Sequence, residues 1–496
     1  MTAKGKRGQT RTDSLSGTIA HYATSVVAKQ ALGVLNAYLK PLLLSPAAYG
    51  LWNLLNTVLA FIPLTHLGSR SAMRYRIPAN EARGDEAANE QVLGAVFYGT
   101  LVLTGIAAVG LGAAAVFVQT GLAERLGLLV MAVVMIITWL SEFHVAVFKA
   151  RSRFTPISTA NYISAVTACV LNAVLILAFG LYGLFTALIA TNLLVLWYLH
   201  SHAPHLSLGR FRWSVFRELV REGFPIITFS LGATLIRTVD RFIISAWLGL
   251  EALGYYGIAI MALNFLMRIP DASREVVEPL LMHDLQTRPE RDCLRDYVER
   301  PLLATAYALP LLLGPAMLLL PAAVELLLPR YAQGVPAAQI LTGGCLFLSL
   351  AFVLRGILIA RNLQVRATGI MLVSVAGNLV LSIGFLTLGL DIAGVALASA
   401  CSFLLLFGGL WIFVRRHEAE LSSPSWAALL APLALAAAAT GAARAVDVLL
   451  GVSPLISGPI GCVLFLGVAI PLFNRMGRLS GHWEALTLQN IGKRFR

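Results

Sequence analysis

The chain has 496 residues, of which 58% are apolar and only 13% charged. A soluble globular protein shows about 45–50% and about 25%, so an ordinary soluble fold is excluded and lipid is the expected solvent. Lys and Arg number 38 against 25 Asp and Glu, a formal net charge of +13, and the five cysteines fall into no CxxC or Cys/His spacing, which excludes a zinc site or a disulfide framework.

The chain begins with a polar, basic stretch, Met1 to Ser14. The segment that follows carries Thr18, His21, Tyr22, Ser25, Lys29 and Gln30, too polar for the apolar core of a cleaved signal peptide. Apolar segments long enough to cross a ~30 Å hydrocarbon core as helices then recur at about 16–39, 47–68, 92–118, 124–147, 157–179, 182–201, 224–248, 252–270, 301–327, 335–359, 367–388, 392–414, 425–445 and 453–474. The predicted fold class is therefore an all-α integral membrane protein with about fourteen transmembrane helices.

The distribution of cations tests this segmentation independently, because Lys and Arg concentrate in cytoplasmic loops. With both termini inside, 29 of the 38 lie in inner segments, four (Lys40, Arg125, Arg330 and Arg444) lie outside, and five lie within spans. The net charge thus mostly records topology across a membrane, and a nucleic-acid partner has little left to explain. Every outer loop is short. The longest inner loop, about Pro270 to Arg300, is too small for an extramembrane domain.

Spans five and six resemble spans eleven and twelve. Lys149-Ala-Arg151, Asn172, Gly180-Leu-Tyr-Gly183 and Ala187 are matched by Ile359-Ala-Arg361, Asn378, Gly389, Gly394 and Ala398, and Tyr49-Gly50 by Tyr256-Gly257. The offset corresponds to six helices, an even number, so the copies are parallel repeats about an axis along the membrane normal. The expected organisation is an N-lobe of residues 1–207, a C-lobe of residues 208–418, and residues 419–496 holding spans thirteen and fourteen with a basic cytoplasmic tail.

Ionisable groups in mid-membrane are costly and mark transport paths. Lys29 sits ~18 Å into the first span at 1.5 Å per residue, on a polar stripe of Thr18, Tyr22, Ser25, Lys29, Gly33 and Asn36 at helical spacing. Ser230, Thr234, Arg237, Arg241 and Ser245 form the equivalent stripe in the seventh span, with Asp240 placed to neutralise Arg237 in part. The expectation is a central cationic cavity of Lys29, Arg237, Asp240 and Arg241 where the two lobes face one another, suited to phosphate, which guanidinium grips in a bidentate manner. Asn53, Asn56 and Asn264 are candidates for sugar hydroxyls. Arg268 and Arg355 are candidates for a cytoplasmic entry ring, and Glu142, His144 and Asp240 for coupling to H+ or Na+. No cofactor is expected.

The run Arg217-Glu-Leu-Val-Arg-Glu-Gly223-Phe-Pro225, then Arg237-Thr-Val-Asp240-Arg241, then Leu248-Gly-Leu-Glu-Ala-Leu-Gly254-Tyr-Tyr-Gly257, resembles the seventh-helix signature of bacterial polysaccharide and O-antigen flippases. These belong to the multidrug/oligosaccharidyl-lipid/polysaccharide (MOP) exporter superfamily. Leu44-Ser-Pro46-Ala-Ala-Tyr49-Gly50 supports the match. The resemblance implies two six-helix lobes and translocation of undecaprenyl-diphosphate-linked oligosaccharide to the outer leaflet by alternating access, for O-antigen, capsule or exopolysaccharide synthesis. It also implies membrane lipids, a polysaccharide polymerase and chain-length machinery as partners. The alternatives are a lipid II flippase and a drug/cation antiporter of the same superfamily. The antiporter would carry acidic residues in its first span, where this chain carries Lys29. An enzyme acting on lipid-linked sugars would need a sizeable outer loop with catalytic groups, and the outer carboxylates here are scattered singly on short loops.

Overall fold

The computed structural model describes residues 3–117, 121–203, 207–418 and 453–479, together with short helical pieces within 429–442. Part of the thirteenth expected span, and the tail beyond residue 479, lie outside the described residues. The described chain is helical throughout: α1 (Ala3–Leu43), α2 (Pro46–Leu59), α3 (Ser69–Arg83), α4 (Glu86–Phe117), α5 (Leu122–Ala150), α6 (Thr155–Ser201), α7 (Trp213–Ile236), α8 (Val239–Trp247), α9 (Gly249–Asp284), α10 (Glu290–Leu294), α11 (Arg300–Leu327), α12 (Val335–Val353), α13 (Arg355–Ala360), α14 (Gln364–Thr387), α15 (Asp391–His417) and α16 (Pro454–Leu479). In hydrocarbon every backbone polar group must be satisfied within the segment, and helices do this.

Among the described residues, eleven helical stretches are long and apolar enough to cross a membrane. The difference from fourteen has physical sources. Spans five and six run on as one helix, α6, folded at Gly180, whose φ of 56° and ψ of −130° lie outside helical space. α1 is long enough, but its polar stripe keeps it out of the apolar set. Side chains such as Val109, Phe117, Leu177, Val373 and Val463 stand exposed, as they must where the surrounding solvent is lipid.

The chain divides into two compact units, residues 1–231 and 232–496, and the division falls within α7. In the first unit α1 packs on α6, α5 on both α4 and α6, and α3 on α4 and α5. The start of α7 also belongs here. Gly223 approaches Gly68 so closely that a Cβ on either would meet the other's backbone at 2.3 Å or less, and Phe216 lies where a Cβ on Gly99 would go. Arg76 of α3 binds Glu222 through both Nε (3.0 Å) and Nη2 and donates to Glu218 (3.1 Å). These carboxylates raise the Arg76 pKa above its ordinary value.

In the second unit α12 packs on α15 and α9, α14 on α15 and α8, and α11 on α12 and α16. Phe465 of α16 fills the space that the missing side chain of Gly314 leaves on α11.

The backbone repeats the pattern read from the sequence. Before α6 and before α14 the chain turns through a residue with positive φ, Ser152 (53°) and Asn362 (55°). The hydrogen bonds around these turns match: Arg151 N–H to Val147 and Arg361 N–H to Ile357, both 3.0 Å, and Arg153 N–H to Phe148 and Leu363 N–H to Leu358, both 2.8 Å. Gly180 and Gly389 both take left-handed φ, 56° and 80°, which glycine alone adopts without strain. The equivalent alanines, Ala187 and Ala398, are both fully buried.

Candidate polar transport sites

In the first unit the α1 stripe is met by α6. The Lys29 ammonium donates to Asn161 Oδ1 (3.1 Å), Asn161 Nδ2 to Ser25 Oγ (3.4 Å), and Asn172 Nδ2 to Asn36 Oδ1 (2.6 Å). Tyr22 packs into an apolar cluster with Phe148, Ile157 and Leu199. Amides on α6, the neighbouring helix of the same lobe, satisfy Ser25 and Asn36. The Lys29 side chain stays accessible at the helix surface, a cation hydrogen-bonded to a neutral amide with Glu142 as its electrostatic neighbour.

The seventh span is broken. α7 ends at Ile236, Arg237 and Thr238 form a turn, and α8 starts at Val239. Arg237 and Arg241 therefore do not continue one helical stripe. Discontinuous helices at mid-membrane present backbone ends to a substrate or ion, and no periodicity argument detects them.

Arg237 pairs with Asp271 rather than Asp240. Its Nη1 and Nη2 lie 3.3–3.5 Å from the Asp271 carboxylate, and its guanidinium stacks 4.6 Å above the Phe352 ring. These contacts are longer than the 2.7–2.9 Å of a strong charge-assisted bond, and both side chains stay partly open, at 26% and 31% exposed. The pair is loose and displaceable. It also changes the electrostatic count, because Asp240 and Asp271 now face Arg237 and Arg241 within one unit.

Asp240 is buried, with its oxygens fully engaged. Oδ1 accepts the Arg241 N–H (2.9 Å), and Oδ2 accepts the Tyr256 hydroxyl (2.5 Å) and the Ser399 hydroxyl (3.5 Å). Asn378 Nδ2 donates to Ser399 Oγ (3.1 Å), and Ser382 donates to Asn378 Oδ1 (3.0 Å). The result is a dry, oxygen-rich cluster contributed by α8, α9, α14 and α15. Asn378 was visible from sequence only as the repeat counterpart of Asn172.

Glu142 lies 3.9 Å from the buried Arg70 of α3, whereas Arg151 is engaged by Glu81 at 3.6 Å. Burial lowers the Arg70 pKa to about 10, an effect that Glu142 partly offsets. His144 is buried and uses both ring nitrogens. Nδ1 faces the Leu140 carbonyl (2.8 Å), so it carries the proton, and Nε2 faces His200 Nδ1 (3.3 Å). His200 is a residue that helical spacing in the sequence did not single out.

The amide candidates separate. Asn53 is buried, and its Nδ2 has no hydrogen-bond partner among the described residues, while Asn56 and Asn264 are exposed. Arg268 and Arg355 are partly buried, and Arg355 opens α13 directly after the break at Leu354.

Residues 42–329, more than half of the chain, match the family model described as polysaccharide biosynthesis protein. The chain belongs to this family. As a polysaccharide biosynthesis protein it shares its fold with solved MOP-superfamily transporters. An inward-facing multidrug resistance MATE family transporter superposes with a TM-score of 0.65 at 12% identity, covering 80% of this chain and 96% of that one. The lipid II flippase MurJ, in an inward closed conformation, superposes with a TM-score of 0.60 at 13% identity, covering 92% and 98%. No curated protein matches the chain by sequence. The protein is thus a multi-pass, all-α membrane protein with the fold of a transporter or flippase.

Proposed function

We propose that this polysaccharide biosynthesis protein is a flippase, not an enzyme, which carries undecaprenyl-diphosphate-linked oligosaccharide from the cytoplasmic to the periplasmic leaflet of a bacterial inner membrane by alternating access. The observation that carries the reading is Lys29, a lysine deep in the first span whose hydrogen-bond partner is the neutral Asn161, with the Glu142 carboxylate as an electrostatic neighbour that is also drawn to Arg70. Cations within the membrane span attract phosphate, and an organic-cation path would call for the opposite charge. Arg237 adds a second contact, because a diphosphate can replace Asp271 in its loose pair and gain bidentate geometry. Asn53, with an unused amide donor, suits a sugar hydroxyl or the diphosphate.

In this mechanism the substrate loads past Arg268 and Arg355, its diphosphate is drawn by the cations of each unit, Lys29 in the first and Arg237 and Arg241 in the second, and most of its lipid tail stays in the bilayer. Asp240 with Tyr256, Asn378, Ser382 and Ser399 offers the anionic, oxygen-lined surroundings that H+ or Na+ requires, and supports coupling there. A polymerase and chain-length machinery would then consume the product.

The test is deletion of the protein from its host. Lipid-linked oligosaccharide should accumulate in the cytoplasmic leaflet while surface polysaccharide is lost, and wild type should restore export where Lys29→Ala and Arg241→Ala do not. Normal lipid-linked material with altered drug sensitivity would favour the antiporter reading instead.

A further inference from the structure

Within the second unit, α9, α11, α12 and α13 line a half-open cavity of about 350 Å³, inside the ~300–1,000 Å³ range typical of ligand sites. Its wall is apolar, built from side chains such as Leu281, Leu309, Leu312 and Phe352, and it is notched by small residues, Ala304, Ala308 and Gly356. By the basic-inside topology, the end of α9, the start of α11 and the end of α12 all lie at the cytoplasmic side.

The edges of this cavity are charged. Phe352 is part of its wall and also carries the Arg237 guanidinium on its ring. Pro270, another wall residue, immediately precedes Asp271, the partner of Arg237, and follows Arg268 by two positions. Gly356 in the wall directly follows Arg355. An apolar hollow with three guanidinium groups this near along the chain fits an amphiphile with an anionic head and an apolar chain. The notched wall suits a single methyl-branched chain, and a cavity of this size seats part of one chain where a phospholipid must bring two.

We infer that this cavity seats the isoprenoid units next to the diphosphate of the lipid-linked substrate while it loads from the cytoplasmic leaflet, the loose Arg237–Asp271 pair opening to the diphosphate. The inference rests on the flippase reading above. It gives the second unit a tail-reading site in addition to its charges, so that substrate is selected by its lipid as well as by its head.

The experiment uses the full-length protein in phosphatidylethanolamine/phosphatidylglycerol vesicles, with a diazirine-bearing polyprenyl diphosphate that carries no sugar and, separately, a diazirine-bearing phosphatidylglycerol. The expected result is crosslinking of the polyprenyl probe to α9, α11 and α12 around Leu281, Leu312 and Phe352. Labelling should fall by about tenfold, or ~1.4 kcal/mol of binding, in Ala308→Trp, which fills the hollow, and should persist in Ala308→Ser. Mapping the crosslinks in the wild-type protein needs no variant to fold.

Polyprenyl labelling confined to other helices would overturn the cavity assignment while leaving the flippase reading intact. So would phosphatidylglycerol labelling of the cavity that excess polyprenyl diphosphate does not displace. Absence of any saturable polyprenyl labelling, with binding of an organic cation instead, would overturn both.

Discussion

The two units repeat one backbone plan but handle charge differently. In the first, Lys29 faces Asn161, and Asn172 faces Asn36. In the second, Arg237 faces Asp271, and Asn378 reaches Asp240 through Ser399. The conserved plan places an asparagine of the fifth or eleventh span toward its unit's first span. The difference lies in what is already neutralised there. The first unit holds a cation hydrogen-bonded to a neutral amide, with the Glu142 carboxylate only as a longer-range neighbour, whereas the second holds Arg237 directly against the Asp271 carboxylate.

The sharpest way to break this contrast is to invert the charge of the first unit. Lys29→Glu should abolish polysaccharide export in a complementation assay with normal protein levels in the membrane. Lys29→Arg, which keeps the charge, should retain part of the activity. Equal export from wild type and Lys29→Glu would remove the first unit from substrate binding.

A structural perturbation ranks next. Gly223→Val drives a side chain into the Gly68 backbone and should cost several kcal/mol, at the upper end of the ~0.5–3 kcal/mol usual for point mutations or beyond it. Loss of folded protein in detergent, read by thermal melting, checks this. Gly84→Ala, where a Cβ meets nothing but φ is +70°, should be far milder.

A smaller effect of opposite sign is expected in the second unit. Asp271→Asn frees Arg237 and should tighten binding of a polyprenyl diphosphate by up to about tenfold, ~1.4 kcal/mol, read by titration. Asp240→Asn should leave that affinity nearly unchanged and alter the dependence of transport on pH or Na+. Weaker binding in Asp271→Asn would mean that the carboxylate orients Arg237 rather than competing for it.

The smallest effect concerns the inner loop, and here the sign follows from its ion pairs. Hydrogen bonds from Arg288, Tyr297 and His283 hold the Asp284 carboxyl down at about 2 from its ordinary 3.8. A carboxylate with a depressed folded-state pKa adds stability that is present above the unfolded value and lost as pH falls through the folded one. Protection of residues 284–300 in hydrogen exchange should therefore be constant above about pH 4 and decline toward pH 2, and Asp284→Asn should flatten the profile.

Much of the fold was legible in the sequence because hydrophobic length and the placement of Lys and Arg both report on the membrane directly. The repeat was legible through Arg151 and Arg361, which stand at matching turns, and through Gly180 and Gly389, whose positive φ glycine adopts without strain. The partners were not. Asp271 lies 34 residues from Arg237 and at the edge of a span, and nothing in helical spacing tells which neighbouring helix a polar face meets. The same limit hid His200 behind His144 and Tyr256 beside Asp240. The break at Arg237–Thr238 also escaped, because neither residue is a proline or glycine.

The most direct measurement is translocation by the purified protein in vesicles loaded with a fluorescent polyprenyl-diphosphate oligosaccharide, scored by how fast the sugar becomes accessible to an impermeant modifying enzyme outside. The account predicts rapid exposure with wild type, none above protein-free vesicles with Lys29→Glu, and faster capture at low substrate with Asp271→Asn. Wild-type vesicles that expose the sugar no faster than empty ones, while moving an organic cation, would contradict it.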